Sequence, residues 1–173
     1  MHRSAWFTFV FVTVSACGTA QLAPSDGGAE ASVPAKCETY DVPSGTDLTT
    51  PQVSFRNDVV PIFTQTCGFT SCHGSPASTR VFLGANTGTV DAPKIRQGIV
   101  GIASKALPTM PFVTASDPNK SFLQHKIDGD ACKFKDECVG KDCGASMPEN
   151  APLIDVPLRD TIRRWIAQGA ADN

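Results

Sequence analysis

Apolar residues recur in two stretches of this chain at the three- and four-residue spacing that forms one face of an α-helix. The first stretch is residues 54–66, whose apolar positions are Phe55, Val59, Ile62 and Phe63. Ser54 precedes them and can cap the start of a helix through its hydroxyl oxygen. Pro61 has no N–H group, so we expect it to kink this helix or to shift its start.

The end of the chain predicts the strongest helix. Asp155 is a candidate N-cap, Pro157 suits a first helical turn, and Gly169 is a suitable stop. The apolar face between them consists of Leu158, Ile162, Trp165 and Ile166. This pattern predicts an amphipathic helix with one buried face.

The signals between these two helices are weaker. Asp117-Pro118 is a helix-start signal and predicts a helix over residues 121–127. Residues 74–118 are rich in Gly and Pro, and only 93–100 within them shows a weak helical pattern. No β-alternation of comparable strength is present. We therefore expect a small all-α domain with a loop-rich middle, spanning residues 51–173.

The first sixteen residues have the layout of a secretory signal. His2 and Arg3 form a short basic start, and an apolar run follows from Ala5 to Val14, too short to cross a bilayer. The run ends in Val14-Ser15-Ala16-Cys17, which resembles the lipobox of bacterial lipoproteins. This resemblance implies cleavage after residue 16 and a lipid on Cys17. The alternative is ordinary signal-peptidase cleavage near Ala20.

Residues 17–50 predict a lipid anchor followed by a flexible tether. They are rich in Ala, Pro, Ser, Thr and Gly and have no sustained hydrophobic period. Cys37 lies within this stretch and suggests that its distal part is stapled to the domain. We expect the protein on the periplasmic side of the inner or outer membrane. The residue after the anchor is Gly18 and not an aspartate, which is compatible with sorting to the outer membrane.

Composition narrows the possible partners and the compartment. Without residues 1–16 the chain loses one base, Arg3, and 14 Lys and Arg against 17 Asp and Glu leave a charge of −3. Nucleic acid is therefore not an expected partner. Seven cysteines in a chain of this length fit an oxidising compartment, where disulfides form.

Two thiols and an imidazole follow the first predicted helix. Cys67, Cys72 and His73 have the spacing C-x4-C-H, whereas the usual haem-attachment signature is C-x-x-C-H. Gly68 and the small residues Thr70 and Ser71 make a looped-out connection sterically feasible. Two other interpretations stay open: a Cys67–Cys72 disulfide beside an ordinary histidine, and a zinc site completed by a distant cysteine.

The order of these segments resembles that of small class I cytochrome c domains. The match runs from Phe55-Arg-Asn-Asp-Val-Val-Pro-Ile-Phe through the cysteine motif and Met147-Pro148 to Arg164-Trp-Ile-Ala-Gln-Gly-Ala170. The resemblance implies one covalent haem c, held by thioethers to Cys67 and Cys72. It also implies His73 as proximal iron ligand and Met147 as distal ligand, with Met110 in Thr109-Met110-Pro111 as the second choice.

In that family the first and last helices pack together, and a six-coordinate iron suits single-electron transfer rather than substrate binding. The resemblance therefore implies an electron carrier, not an enzyme, that exchanges electrons with redox partner proteins of the cell envelope. Three lysines near the presumed ligand loop offer a positive charge that could steer an acidic partner. They are Lys133, Lys135 and Lys141.

Four cysteines are left once the lipid and the haem have taken three: Cys37, Cys132, Cys138 and Cys143. Two disulfides are the simplest account, and the three possible pairings stay open. Cys138 and Cys143 repeat the C-x4-C spacing, but no histidine follows them, which argues against a second haem. His125 fits a helix-surface or core position better than a ligand position.

Two other functions remain compatible with the sequence. One is a haem-free lipoprotein, stapled by disulfides, that binds a protein or a glycan. The other is a haem sensor or peroxidase-like protein, which would need an open or labile sixth position on the iron.

Overall fold

The computed structural model describes Cys37 and residues 40–173, and these residues form helices without a sheet. The α-helices of this part are α1 (Val60–Thr66), α2 (Ala92–Gln97), α3 (Phe122–Asp128) and α4 (Val156–Ala167). The nearest approach to β-structure is a pair of isolated bridges, Val100 with Val113 and Ala103 with Pro111. The expected helix-rich, strand-free class is confirmed for the described residues.

The predicted signal segment 1–16, the lipidation site Cys17 and the tether up to residue 36 lie outside the described residues. In the part of the chain that is described, no helix has the length and apolar character needed to cross a membrane.

The first predicted helix is present, and Pro61 shifts its α-helical start as expected. Ser54 caps it by accepting a hydrogen bond from the Asn57 amide at 3.1 Å. The segment Phe55–Val59 is wound as a π-helix, with the Val60 amide bonded to the Phe55 carbonyl five residues back. The α-helical hydrogen bonding of α1 begins only at Val60, next to the proline.

The two weaker predictions also correspond to helices. Asp91 caps α2 by accepting a hydrogen bond from the Lys94 amide at 3.1 Å, and Gly98 follows its last residue. Asp117 caps a 3-10 turn, Pro118–Lys120, rather than α3 itself. Helix α3 then ends at Gly129, which has a left-handed φ of 80°.

Helix α4 begins and ends where its sequence signals predict. Asp155 occupies the N-cap position, although its side chain makes no capping hydrogen bond, and Pro157 lies in the first turn. Gly169, with φ of 99°, follows the last turn. The predicted apolar face is buried at Ile162, Trp165 and Ile166.

The main core joins the start of the first helical segment to α4. Phe55 stacks on Trp165 with ring centroids 4.8 Å apart, and Phe63 meets Phe55 edge-on at 6.3 Å. All three rings are buried, so these pairs pack the first helical segment onto α4. A second, smaller cluster lies under the loops and contains Leu107, Phe122, Ala131, Cys138 and Cys143.

Two disulfides close the described part of the chain, as expected for these four cysteines. Cys37 pairs with Cys132, with Cα atoms 5.7 Å apart, and Cys138 pairs with Cys143, with Cα atoms 5.3 Å apart. The first bridge joins residues that are 95 positions apart, so it ties the segment before the domain to the turn after α3.

Residues 40–53 run along α4, and we call them the strap. The Tyr40 ring lies against the guanidinium groups of Arg159 and Arg163 at 4.6 and 5.1 Å, and its hydroxyl donates to Asp160 at 3.2 Å. Farther along, the Gln168 amide nitrogen donates to the carbonyls of Leu48, Thr49 and Pro51. The Gln168 amide oxygen accepts from the Val53 amide at 2.8 Å.

A buried ion cluster joins α3 to α4. Asp128 is 4% exposed and accepts hydrogen bonds from Arg163 at 2.8 and 3.0 Å and from Arg159 at 3.3 Å. Both arginines are also buried. Because each charge is paired, the cluster avoids the cost of an isolated buried ion.

Candidate cofactor site

The cysteine motif begins where α1 ends. The Cys67 amide still donates to the Phe63 carbonyl at 2.8 Å, and the chain then leaves the helix. It turns back on itself, with the Cys72 amide on the Phe69 carbonyl at 2.8 Å and the His73 amide on the Cys67 carbonyl at 3.1 Å. The two residues added relative to C-x-x-C-H are therefore absorbed in a hydrogen-bonded loop, which we call the motif loop (residues 67–74).

Glycine is required at Gly68 by close backbone packing. A Cβ atom on this residue would lie 2.6 Å from the carbonyl oxygens of both Gly84 and Thr64. The Gly68 carbonyl in turn accepts a hydrogen bond from the Asn86 amide at 2.9 Å. The motif loop is thus held against residues 84–86, which leaves no room for a side chain at this point.

The two cysteines of the motif loop are free thiols, although the other four described cysteines are all paired. The comparison with Cys138 and Cys143 is direct because both pairs have C-x4-C spacing, yet only that second pair is bridged. In this structure the motif is therefore a pair of free thiols and not a disulfide. Both thiols are partly buried, and neither sulfur is consumed in a disulfide.

The environment of Cys67 keeps it protonated. Burial raises the pKa of its thiol, and the neighbouring Cys72 raises it further, while a contact with the Thr66 hydroxyl opposes the shift. The sulfur and that hydroxyl oxygen are 3.3 Å apart. A thiol of raised pKa is a weak nucleophile, so Cys67 does not fit the role of a self-activated catalytic cysteine.

One ring nitrogen of His73 forms a hydrogen bond within the protein, which leaves the other as the candidate metal ligand. Its Nδ1 lies 2.8 Å from the carbonyl oxygen of Val81, which can only accept, so Nδ1 carries the proton. Burial lowers the pKa of the imidazole, and the charges of Arg80 and Lys126 lower it further, against the raising effects of the Val81 bond and Glu149. The neutral ring therefore presents a lone pair at Nε2, the form that ligates metals.

The two candidate methionines lie in different clusters. Met147 is partly buried and packs against the main core, as do Cys67 and Val81. Met110 packs instead against the second cluster, which includes Cys138 and Cys143. The structure thus brings Met147, but not Met110, to the core on which the motif loop rests.

Sequence reasoning missed Lys126, which holds the segment that carries Met147. It is 6% exposed, and its ammonium group donates to the carbonyl of Cys143 at 2.9 Å and to that of Ala145. Its own backbone carbonyl accepts from the Met147 amide at 2.8 Å. Its position on the predicted helix 121–127 was the one available signal. Its burial could not be expected from the sequence, since lysine is rarely buried without a partner.

The residues expected to have other roles are placed as follows. His125 is a largely buried structural histidine: Nδ1 lies 2.8 Å from Asp130 and Nε2 lies 2.9 Å from the Asn119 carbonyl. Of the three lysines thought to steer a partner, Lys133 forms an ion pair with Asp130 at 2.8 Å. Lys135 and Lys141 are exposed.

The zinc interpretation is not supported. Across the residues that the structure describes, no three His, Cys, Asp or Glu side chains are grouped so that they could hold a metal ion. The remaining cysteines of this part are sulfur-bonded to one another, so none can complete a site with Cys67, Cys72 and His73.

Comparison with known proteins gives no assignment: no family model, no curated protein and no solved structure matches this chain.

Proposed function

We propose that this protein is a single-electron carrier of the cell envelope that holds one haem c covalently through Cys67 and Cys72. In this proposal His73 is the proximal iron ligand and Met147 the distal one. When bound, the haem supplies one-electron oxidation and reduction. The protein residues hold the group, orient its ligands and limit the access of water.

The hydrogen bond from His73 to Val81 carries the proposal. A histidine that ligates a metal through one nitrogen usually donates the other N–H to a carbonyl or carboxylate, which fixes the tautomer and the ring orientation. His73 has this arrangement, with Nδ1 on the Val81 carbonyl and Nε2 unprotonated. The depressed pKa keeps the ring neutral at neutral pH.

The state of the cysteines supports attachment. Thioether formation consumes free thiols, and Cys67 and Cys72 are the thiols that remain unpaired in the described residues. They belong to the same short loop as His73, whose amide donates to the Cys67 carbonyl.

Met147 is the distal ligand that the packing favours. It shares the main core with Cys67, whereas Met110 belongs to the second cluster. If His73 and Met147 both held the iron, no position would be left for a substrate, and the pairing of an imidazole with a thioether would favour the reduced state. We therefore assign electron transfer, with no substrate of its own, over ligand sensing or peroxidase chemistry.

The location belongs to the same proposal. A signal segment at 1–16 and a lipid on Cys17 would export the protein and anchor it to the membrane, with residues beyond Cys17 leading to the domain. The partners are then redox proteins of the envelope that dock beside the cofactor. Phe69 of the motif loop is 48% exposed and offers an apolar contact for such docking.

The test is covalent retention of haem. The full chain is produced together with c-type maturation machinery, denatured and extracted with acidified organic solvent, and its alkaline pyridine haemochrome spectrum is recorded. The expected result is a c-type spectrum at one haem per chain in the parent. Cys67→Ser with Cys72→Ser should abolish it, while the control pair Cys138→Ser with Cys143→Ser, of identical spacing, should retain it.

Other results would point elsewhere. A colourless parent made with competent machinery would refute the proposal and favour the haem-free binding lipoprotein. A haem-loaded parent that binds carbon monoxide at once would place it among sensors or peroxidase-like proteins, because Met147 would then not hold the sixth position.

A further inference from the structure

The segment that carries Met147 has little regular structure of its own. After the 3-10 turn Val139–Lys141, residues 142–155 contain no helix before α4 begins at Val156. The Cys138–Cys143 bridge constrains the start of this stretch at Cys143, four residues before Met147. Some other contact must therefore fix the remaining part, residues 143–147, which we call the Met segment.

Lys126 makes that contact with both its side chain and its backbone. Its ammonium group donates to the carbonyls of Cys143 and Ala145, and its carbonyl accepts from the Met147 amide. Gly144 lies between the two carbonyls with a left-handed φ of 70°, and a Cβ atom there would stand 3.3 Å from the lysine nitrogen. The left-handed turn at Gly144 thus lets the carbonyls of Cys143 and Ala145 both point at the Lys126 ammonium group.

The buried charge of Lys126 has no acidic partner among the described residues. Lys126 is buried, and it forms no ion pair within the described residues; the carboxylates of Asp142 and Glu149 act on it only from a distance. Its ammonium group is directed at the backbone carbonyls of Cys143 and Ala145, with the face of the Phe122 ring 5.8 Å away. The buried charge of Lys126 therefore acts mainly on the Met segment.

We propose that Lys126 is the positioning residue for Met147: its ammonium group and carbonyl together clamp the Met segment to α3, which sets how readily the thioether leaves the sixth position. This inference rests on the proposed function and deepens it. It makes a single buried lysine the control on ligand exchange, and hence on whether the protein carries electrons or binds small ligands.

The experiment compares three variants with the haem-loaded parent: Lys126→Met, Lys126→Arg, and Lys141→Met as a control on an exposed lysine of the same region. Carbon monoxide is mixed with each reduced protein and the binding rate is followed by absorbance. Loss of two charge-assisted hydrogen bonds should accelerate binding roughly tenfold to a hundredfold in Lys126→Met. Lys126→Arg should fall between it and the parent, and Lys141→Met should match the parent.

Two further measurements keep the outcome decisive. Thermal unfolding of each variant separates a loosened ligand from a loosened fold: an unchanged midpoint with faster carbon monoxide binding supports the clamp. Parent-like binding in Lys126→Met overturns it. If Lys126→Met does not fold, Lys126→Gln, which keeps a neutral donor, replaces it in the same comparison.

Failure of the proposed function is visible separately. If the parent retains no haem, hydrogen exchange of the Met147 amide in the haem-free protein still measures the clamp, because that amide is bonded to Lys126. Faster exchange in Lys126→Met than in Lys141→Met supports the clamp without the haem. Equal exchange in the two variants overturns it, whatever the cofactor.

Discussion

The two disulfides should differ strongly in how much they stabilise the protein, since they close loops of very different length. In the chain-entropy description, a cross-link lowers the entropy of the unfolded chain by an amount that grows with the logarithm of the loop length. Cys37 and Cys132 are 95 residues apart, and Cys138 and Cys143 are five apart. The same relation gives about 4.7 kcal/mol for the long loop and about 2 kcal/mol for the short one at 25 °C.

The comparison needs two double variants, Cys37→Ser with Cys132→Ser and Cys138→Ser with Cys143→Ser. Urea unfolding yields the free energy of unfolding of each and of the parent. We expect the first pair to lose more than twice as much as the second, and to show the larger increase in urea dependence, because its unfolded chain is released over more residues. Equal losses, or a larger loss for the short loop, would refute the entropic reasoning.

Three other perturbations test separate parts of the fold. Asp128→Asn removes the carboxylate that pairs two buried arginines, so the free energy of unfolding should fall by about 3–5 kcal/mol in urea titrations; a loss under about 1 kcal/mol would contradict the pairing. Burial lowers the pKa of His125, but its hydrogen bonds to Asp130 and the Asn119 carbonyl outweigh this and raise it. The stability lost in His125→Gln should therefore be greatest below about pH 6.5, the pKa of histidine in the unfolded chain, and should shrink as pH rises through the folded-state pKa. Thermal midpoints of parent and variant between about pH 5 and pH 9 test this. A difference between the two midpoints that widens with pH would be inconsistent with it. Gly68→Ala forces a methyl group to 2.6 Å from two carbonyls and should lower both stability, by about 1–3 kcal/mol, and haem retention, whereas the control Gly98→Ala, whose Cβ meets nothing closer than 3.4 Å, should behave like the parent.

The sequence predicted the local structure well because that structure depends on neighbouring residues. Ser54 capping a helix, Pro157 in a first turn and Gly169 after a last one are short-range effects. The π-helical start at Phe55–Val59 is a partial exception. The proline indicated that the helix would begin irregularly, but no local signal indicated a π-helical form, and Phe55 in this segment packs on Trp165, far along the chain.

Long-range relations could not be predicted. Spacing alone does not distinguish the bridged Cys138 and Cys143 from the free Cys67 and Cys72, since both pairs are C-x4-C. The outcome depends on tertiary geometry that brings some sulfur atoms to bonding distance and not others.

The acceptor for His73 could not be foreseen either. Val81 lies eight residues along an irregular loop and contributes only its backbone carbonyl, so nothing in its side chain signals the contact. The lysine that engages the Met segment was overlooked for a related reason. The lysines that the sequence singled out lie close to Met147 along the chain. Lys126 lies on α3, 17 and 19 residues before the two carbonyls to which its ammonium group donates.

The contact between Gln168 and the strap has a consequence for how this protein can vary. The Gln168 side-chain amide bonds only to backbone atoms of the strap. Its nitrogen donates to the carbonyls of Leu48, Thr49 and Pro51, and its oxygen accepts from the Val53 amide. Between Leu48 and Val53 the path of the strap is thus set by the residue that caps the C-terminus of α4. The side chains of Leu48, Thr49 and Pro51 are not used in this contact, so they can vary without loss of it. Position 168 accepts only a residue that both donates and accepts: glutamate would keep the acceptor and lose the donors, and lysine the reverse.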